Sequence, residues 1–499
     1  MSEKFISIND AEKDLLTAAA YVAERVGGSD DRADAGAAVV QRYLARGEGD
    51  LAAELANSLD DPFMRDRLLI AVATKCADLD DDEYALQLAD AIEEQGLQSQ
   101  AREMIALQKA KKGEIEAARE IASSIFHPDA ALAGIAAKQA EMGDTDAATE
   151  TLAEIDYPGA SVMALMSMAA GRLERGEKEA AVEYLETAAS LAEEIEHDEE
   201  RIRALIDVGN AMTDAGRRDR AVQTLDKAMG YAEALDNVHR DNFLAGVSQA
   251  FMHAGSEDLA DRALDLVADK TQIATALVGF AREYWRKEDR DEAFEALDEA
   301  YEILRSQRDR ETRDSKARYG LFGTIAAQYA GFERGERAIE IAEGIEDDQQ
   351  SMAALGQIAG IMTLQKNDEL ARQALNAIPE EAERMLALIS MSDAARENGE
   401  NEKASEFINE AIELAKDVPQ LSARSAAYAE IASRLLDRED PTRAREVMLI
   451  DLENIAQIRG QSTRAMALAT LAGLFDKAEF KLNESEAELV RTILVPKSF

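Results

Sequence analysis

One spacing runs through the chain and limits what it can fold into. An alanine recurs at Ala85, Ala118, Ala148, Ala181, Ala221, Ala260, Ala293, Ala338, Ala371, Ala404 and Ala444, in steps that are mostly 30 to 33 residues and otherwise 39, 40 or 45. Ahead of this ruler alanine lies an apolar stripe of helical period, such as Leu165, Met168 and Ala169, or Leu205, Val208 and Gly209. Behind it come a large apolar residue and a second alanine: Leu185 and Ala188, Leu225 and Ala228, Leu297 and Ala300, Ile408 and Ala411. Such stripes are helix faces that must be buried, so each unit reads as two helices joined by a short turn. A period of this length means stacked units that share a core with their neighbours, not separate globular domains.

The turn chemistry agrees. Gly143, Gly176, Gly216 and Gly399 stand five residues before the ruler alanine, where a left-handed residue ends the first helix. Glu288, Glu333 and Lys366 replace that glycine in three units. Asp144, Glu177, Ser256 and Asp289 follow the turn, where an N-cap or a first-turn acid favours the second helix. A proline inside a helix costs about 3 kcal/mol. Pro62, Pro128, Pro158, Pro379 and Pro419 all fall between units, Pro441 falls at the start of a second helix, and Pro496 falls in the tail. The expected organisation is an N-terminal helix with an irregular first repeat over 1–60, a repeat array over 61–458, and C-terminal capping helices over 459–499.

Over residues 63–458 the pattern resembles the tetratricopeptide repeat: an apolar then a small residue in the first helix, glycine at the turn, and the two alanines of the second helix. Tyr284 and Tyr329 occupy the family's aromatic position, while its tryptophan is replaced by leucine, phenylalanine or alanine. The resemblance implies an all-α fold, an α-solenoid of about twelve antiparallel helix-turn-helix repeats in a right-handed superhelix. It further implies a concave groove lined by first helices. Carried over position by position, the groove residues are Arg203, Asn210, Asn242, Gln249, Met252, His253, Arg282, Trp285 and Arg286. Trp285 is the single tryptophan and arginines flank it, a pairing enriched at interface hot spots. The other reading of Trp285 is packing against a neighbouring helix, with solvated arginines. The regular lysines and asparagines with which some family members clamp chaperone tails are not recognisable.

Charge narrows the partners. With 100 acidic and 56 basic residues the net charge is −44, a field that repels nucleic acid and anionic membrane surfaces. No run of about 18 apolar residues offers a membrane span, and the stretch near Leu15–Val22 is too short and alanine-rich for a signal segment. Cys76 is the only cysteine, which excludes an intramolecular disulfide or a cysteine cage for a metal. A cytoplasmic protein is the expectation.

Catalytic motifs are hard to find. The acidic run Asp78, Asp80, Asp81, Asp82 and Glu83 lacks a calcium loop's glycine and closing glutamate and reads as a helix-capping turn. Gly47-Glu48-Gly49-Asp50-Leu51-Ala52 imitates a dinucleotide fingerprint, but a helix precedes it where a strand is required. Glu194 and His197 form one E-x-x-H where a di-iron bundle needs two. His127, His239 and His253 are scattered, and Cys76 lies on an apolar stripe with Leu69 and Val72. The segment from Ser306 to Arg318 carries Arg308, Arg310, Arg313, Lys316 and Arg318 and reads as a charged, solvated helix end. The expectation is a non-enzymatic scaffold without cofactor or metal, holding a protein or peptide partner; self-association through the end units stays open. A ligand-responsive sensor module is the alternative, and it would need a pocket.

Overall fold

The computed structural model describes residues 6–306 and 315–495. Among them the chain forms 28 helices and no strand, an all-α solenoid of helix pairs. Thirteen described residues have positive φ, seven of them glycine, and each stands five residues before the ruler position. The array therefore has thirteen pairs against the twelve or so expected. The additional one is the C-terminal pair, Gln461–Lys477 with Glu484–Leu494, in which Glu484 stands where the alanine would be. Elsewhere the ruler alanines are at most 2 % exposed, which is why no larger side chain fits: a Cβ alone lets two helix backbones approach.

Asp80, Glu288, Glu333, Lys366, Glu439 and Glu479 hold the left-handed turn without being glycine. That conformation costs a residue with a Cβ about 1–2 kcal/mol. Lys366→Gly is expected to raise stability by about 0.5–1 kcal/mol, the gain being reduced by glycine's greater freedom when unfolded. Urea unfolding followed by circular dichroism checks this, and a loss of stability would contradict it. Of the four expected caps, Asp144 accepts from the Ala147 amide at 3.1 Å. Glu177 and Ser256 occupy N-cap positions but do not cap through their side chains; Glu177 pairs instead with Arg172.

The chain forms two compact units, one of Met1–Ile105 with Met352–Phe499, the other of Ala106–Ser351. In the first unit the two chain ends meet. Helices Leu15–Ala23 and Ser29–Arg46 both pack on Gln461–Lys477. Arg46 donates to Asp476 at 2.7 Å and to both oxygens of Asp14, and Arg491 donates to Glu12 at 3.2 Å. An open stack needs a polar cap at each end. Here each end covers the other's apolar face.

A second ruler ties the pairs together. An arginine stands twenty residues before the alanine position at Arg32, Arg201, Arg424 and Arg464, each donating to the carbonyl six residues upstream in the preceding connection: Val26, Ile195, Val418 and Ile458. Arg240 and Arg318 share the register and bond Leu266 and Leu304 carbonyls. Next to this position, Asp66, Asp129 and Asp241 accept amides of the following connection, at Glu93, Asp156 and Asp269. Connection backbone would otherwise carry orphan polar groups. A hydrogen bond from a charged donor contributes about 1.5–3 kcal/mol, so these arginines tie the first helices that carry them to adjacent connections.

Candidate functional site

The first-helix face of the unit Ala106–Ser351 carries the residues selected from sequence. Three helices supply them: Asp198–Asp214, Arg240–Ala254 and Lys270–Arg286. Arg203 and Asn242 lie eighteen residues before their ruler alanines; Asn210, Gln249 and Arg282 lie eleven before; His253 and Arg286 lie seven before. Offsets of eighteen, fourteen, eleven and seven form one stripe of a 3.6-residue helix, so these side chains share a face.

Three of them bridge neighbouring first helices. His253 lies between two carboxylates, its Nε2 2.9 Å from Asp214 and its Nδ1 3.3 Å from Glu283, which joins three successive helices. Gln249 donates to the Thr275 carbonyl at 3.2 Å, and Arg282 donates to Gln328. Arg286 pairs with Glu283 of its own helix. Asn210 is half-buried, whereas Arg203 and Asn242 are exposed.

Two of the expected groove residues turn inward. Met252 is 0 % exposed and belongs to the core, which corrects its assignment to the groove. It stands eight residues before its ruler alanine, one residue and so about 100° round the helix from the His253 position. Trp285 occupies the same register. Its ring stacks on Phe332 at 4.2 Å and meets Phe294 edge-on at 6.0 Å, with the Arg290 guanidinium 4.8 Å from its centroid. Phe294 also stacks with Tyr329, whose hydroxyl donates to Asp298 at 2.6 Å. Burial and that carboxylate push the Tyr329 hydroxyl well above the usual phenol range. The packing reading of Trp285 is therefore the one the geometry supports. A signal was present: nine of the chain's aromatic residues fall between Phe280 and Phe332.

The weaker motifs resolve simply. Asp81 caps its helix through the Tyr84 amide, and Gly47 is a left-handed turn between two helices. Cys76 is buried, and burial, then Asp81 and Asp50, push its thiol up to about 11, leaving it protonated and unreactive at neutral pH. His197 is the N-cap of Asp198–Asp214. Arg308, Arg310 and Arg313 lie outside the described residues. Arg318 is not the solvated side chain expected, since it is buried and bonded to the Leu304 carbonyl. No described helix is long and apolar enough to cross a membrane.

A family model described as Tetratricopeptide repeat matches residues 387–418, which span the helix Glu381–Glu397, the left-handed Gly399 and the helix Asn401–Ala415. Residues 387–418 are similar to a tetratricopeptide repeat, within an array of helix pairs. Among solved structures the chain is similar to Ton1535 from Thermococcus onnurineus NA1, with 16% identity over 70% of this chain and 97% of that one and a TM-score of 0.25. A kinesin light chain with nearly identical TPR-like repeats from Podospora anserina gives 18% identity, 45% and 100% coverage and a TM-score of 0.25. The apo form of the quorum sensor NprR from B. thuringiensis gives 14% identity, 65% and 97% coverage and a TM-score of 0.25. No curated protein matches the sequence. TPR-like repeats in general mediate protein–protein interaction.

Proposed function

We propose that this chain is a non-enzymatic interaction scaffold that holds an extended peptide or a helix against the first-helix face of the unit Ala106–Ser351. One observation carries the reading. Arg203 and Asn242 occupy the same register on successive first helices, and both are exposed with side chains that make no hydrogen bond or ion pair among the described residues. Side chains spent on bridging repeats fix the face, and these two remain free on it for a partner. A preformed surface of this kind binds through many modest contacts without ordering itself first. The net charge of −44 favours a partner segment carrying lysine or arginine.

The test is capture of the tagged chain's partner from its native lysate with three proteins: the parent, Arg203→Ala with Asn242→Ala, and Arg262→Ala on the second helix Glu257–Asp265. Recovery is expected to fall about tenfold in the double variant, as the loss of one or two interface contacts of about 1.4 kcal/mol in total implies. It is expected to be unchanged in Arg262→Ala. Loss confined to Arg262→Ala would reject the reading.

A further inference from the structure

A cavity of about 490 Å³ opens in the other unit, on the first-helix face between Leu421–Asp437 and Gln461–Lys477. The N-terminal helix Ser29–Arg46 closes one side by inserting Arg42. The guanidinium lies close over the last first helix: a Cβ on Gly473 would sit 2.5 Å from an Arg42 Nη, so a larger residue there would displace the tip of the arginine.

The charges around this cavity are unevenly committed. Lys477 pairs with Asp437 at 2.6 Å, and Glu430 pairs with Arg434 at 2.9 Å. Arg46, one turn along from Arg42, engages two carboxylates. Arg42 is half-buried and makes no hydrogen bond, ion pair or ring contact among the described residues. Other sheltered guanidiniums without a carboxylate, those of Arg318, Arg424 and Arg464, are held by backbone carbonyls, whereas Arg42 has no acceptor of either kind among the described residues. Partial desolvation of an unpaired charge is unfavourable, and an anionic guest would offset it. The side-chain hydroxyls of Ser422 and Ser433 on the cavity wall are likewise without a hydrogen bond and offer further donors. Ala426, Ala429 and Met466 supply an apolar wall.

We propose that this cavity binds a small monocarboxylate with a short aliphatic body, its carboxylate held by Arg42 and the serine hydroxyls. The planar guanidinium fork matches a carboxylate in bidentate geometry. A singly charged guest meets less repulsion from the surrounding acidic chain than a phosphate dianion does. The volume falls within the range of small-molecule sites, about 300–1,000 Å³. Because the guest would touch the first and the last helix pairs together, its binding reinforces the junction of the chain ends. This site is separate from the peptide-binding face, and neither assignment requires the other.

Butyrate is the probe, with its neutral isostere butanamide and inorganic phosphate as contrasts, titrated calorimetrically into the full chain at constant ionic strength. Butyrate is expected to bind and butanamide and phosphate to bind at least about tenfold more weakly, the effect of losing one charge-assisted pair. Arg42→Gln is expected to remove butyrate binding, and Arg203→Ala, on the other unit, to leave it intact. Hydrogen exchange in both Ser29–Arg46 and Gln461–Lys477 should slow with butyrate bound. Should Arg42→Gln fail to fold, Ser433→Leu fills the same cavity without touching the arginine and must also abolish binding. Butyrate binding that is absent in the parent, or that survives both substitutions, overturns the assignment.

Discussion

Asp451→Ala is expected to stabilise the chain, and to do so increasingly as the pH rises from about 4 to about 7. Asp451 lies on the second helix Pro441–Ile455, seven residues after the ruler alanine, where other pairs carry the fully buried Ala188, Ala228, Ala300 and Ala411. It is 1 % exposed, and neither carboxylate oxygen has a hydrogen-bond partner. Burial pushes its carboxyl up to about 7, against the smaller opposing influence of Ser425 and Asn454 beside it. The Asn454 oxygen is also without a donor. A protonated Asp451 carries no charge into this burial, whereas the ionised form does.

The folded state therefore binds a proton that the unfolded chain has already released above its ordinary pKa of 3.8. Stability linked to this group is fully present below that value and is lost as the pH rises through the folded value near 7. The separation between the unfolded and folded values corresponds to roughly 4 kcal/mol at most. The difference in unfolding free energy between variant and parent, measured in urea at pH 5 and pH 8, should widen by a few kcal/mol. Asp451→Asn should flatten the same pH dependence. Parallel profiles for parent and alanine variant would show that the carboxyl is not held protonated.

Trp285→Ala is expected to cost about 2–4 kcal/mol, because it removes a half-buried ring stacked on Phe332 and leaves a gap beside Phe294. Arg286→Ala, whose one ion pair is exposed, should change stability by less than about 0.5 kcal/mol. Since pairs contact only their neighbours, the loss should appear first as faster hydrogen exchange in Lys270–Arg286 and Ser315–Gly331. Unchanged stability together with lost partner capture would instead return Trp285 to the interface.

Much of this architecture was legible in the sequence because close helix approach demands a small residue at one register, and the alanines repeat it. The arginine row uses the same period and went unread, since a lone arginine is ordinarily a solvated surface residue and its acceptors are connection carbonyls that carry no sequence signature. Met252 was misplaced by one residue along its helix, a rotation that sequence spacing alone resolves poorly when apolar stripes are broad, and the same register left two readings of Trp285 open. Asp451 among four alanines was visible as an anomaly from the ruler itself. The meeting of Arg46 with Asp476, and of Arg42 with Gly473, joins opposite ends of the chain and has no local pattern to announce it.

Hydroxyl-radical footprinting of the captured complex tests whether a partner lies on the first-helix face. Met163 offers a reactive probe: it is 60% exposed on the first helix Pro158–Glu174, in the same register as Arg203 and Asn242. Phe126, 80% exposed in a connection between pairs, serves as the reference. The bound partner is expected to slow Met163 oxidation several-fold and to leave Phe126 unchanged. Undiminished oxidation of Met163, with protection confined to second helices or connections, would contradict it.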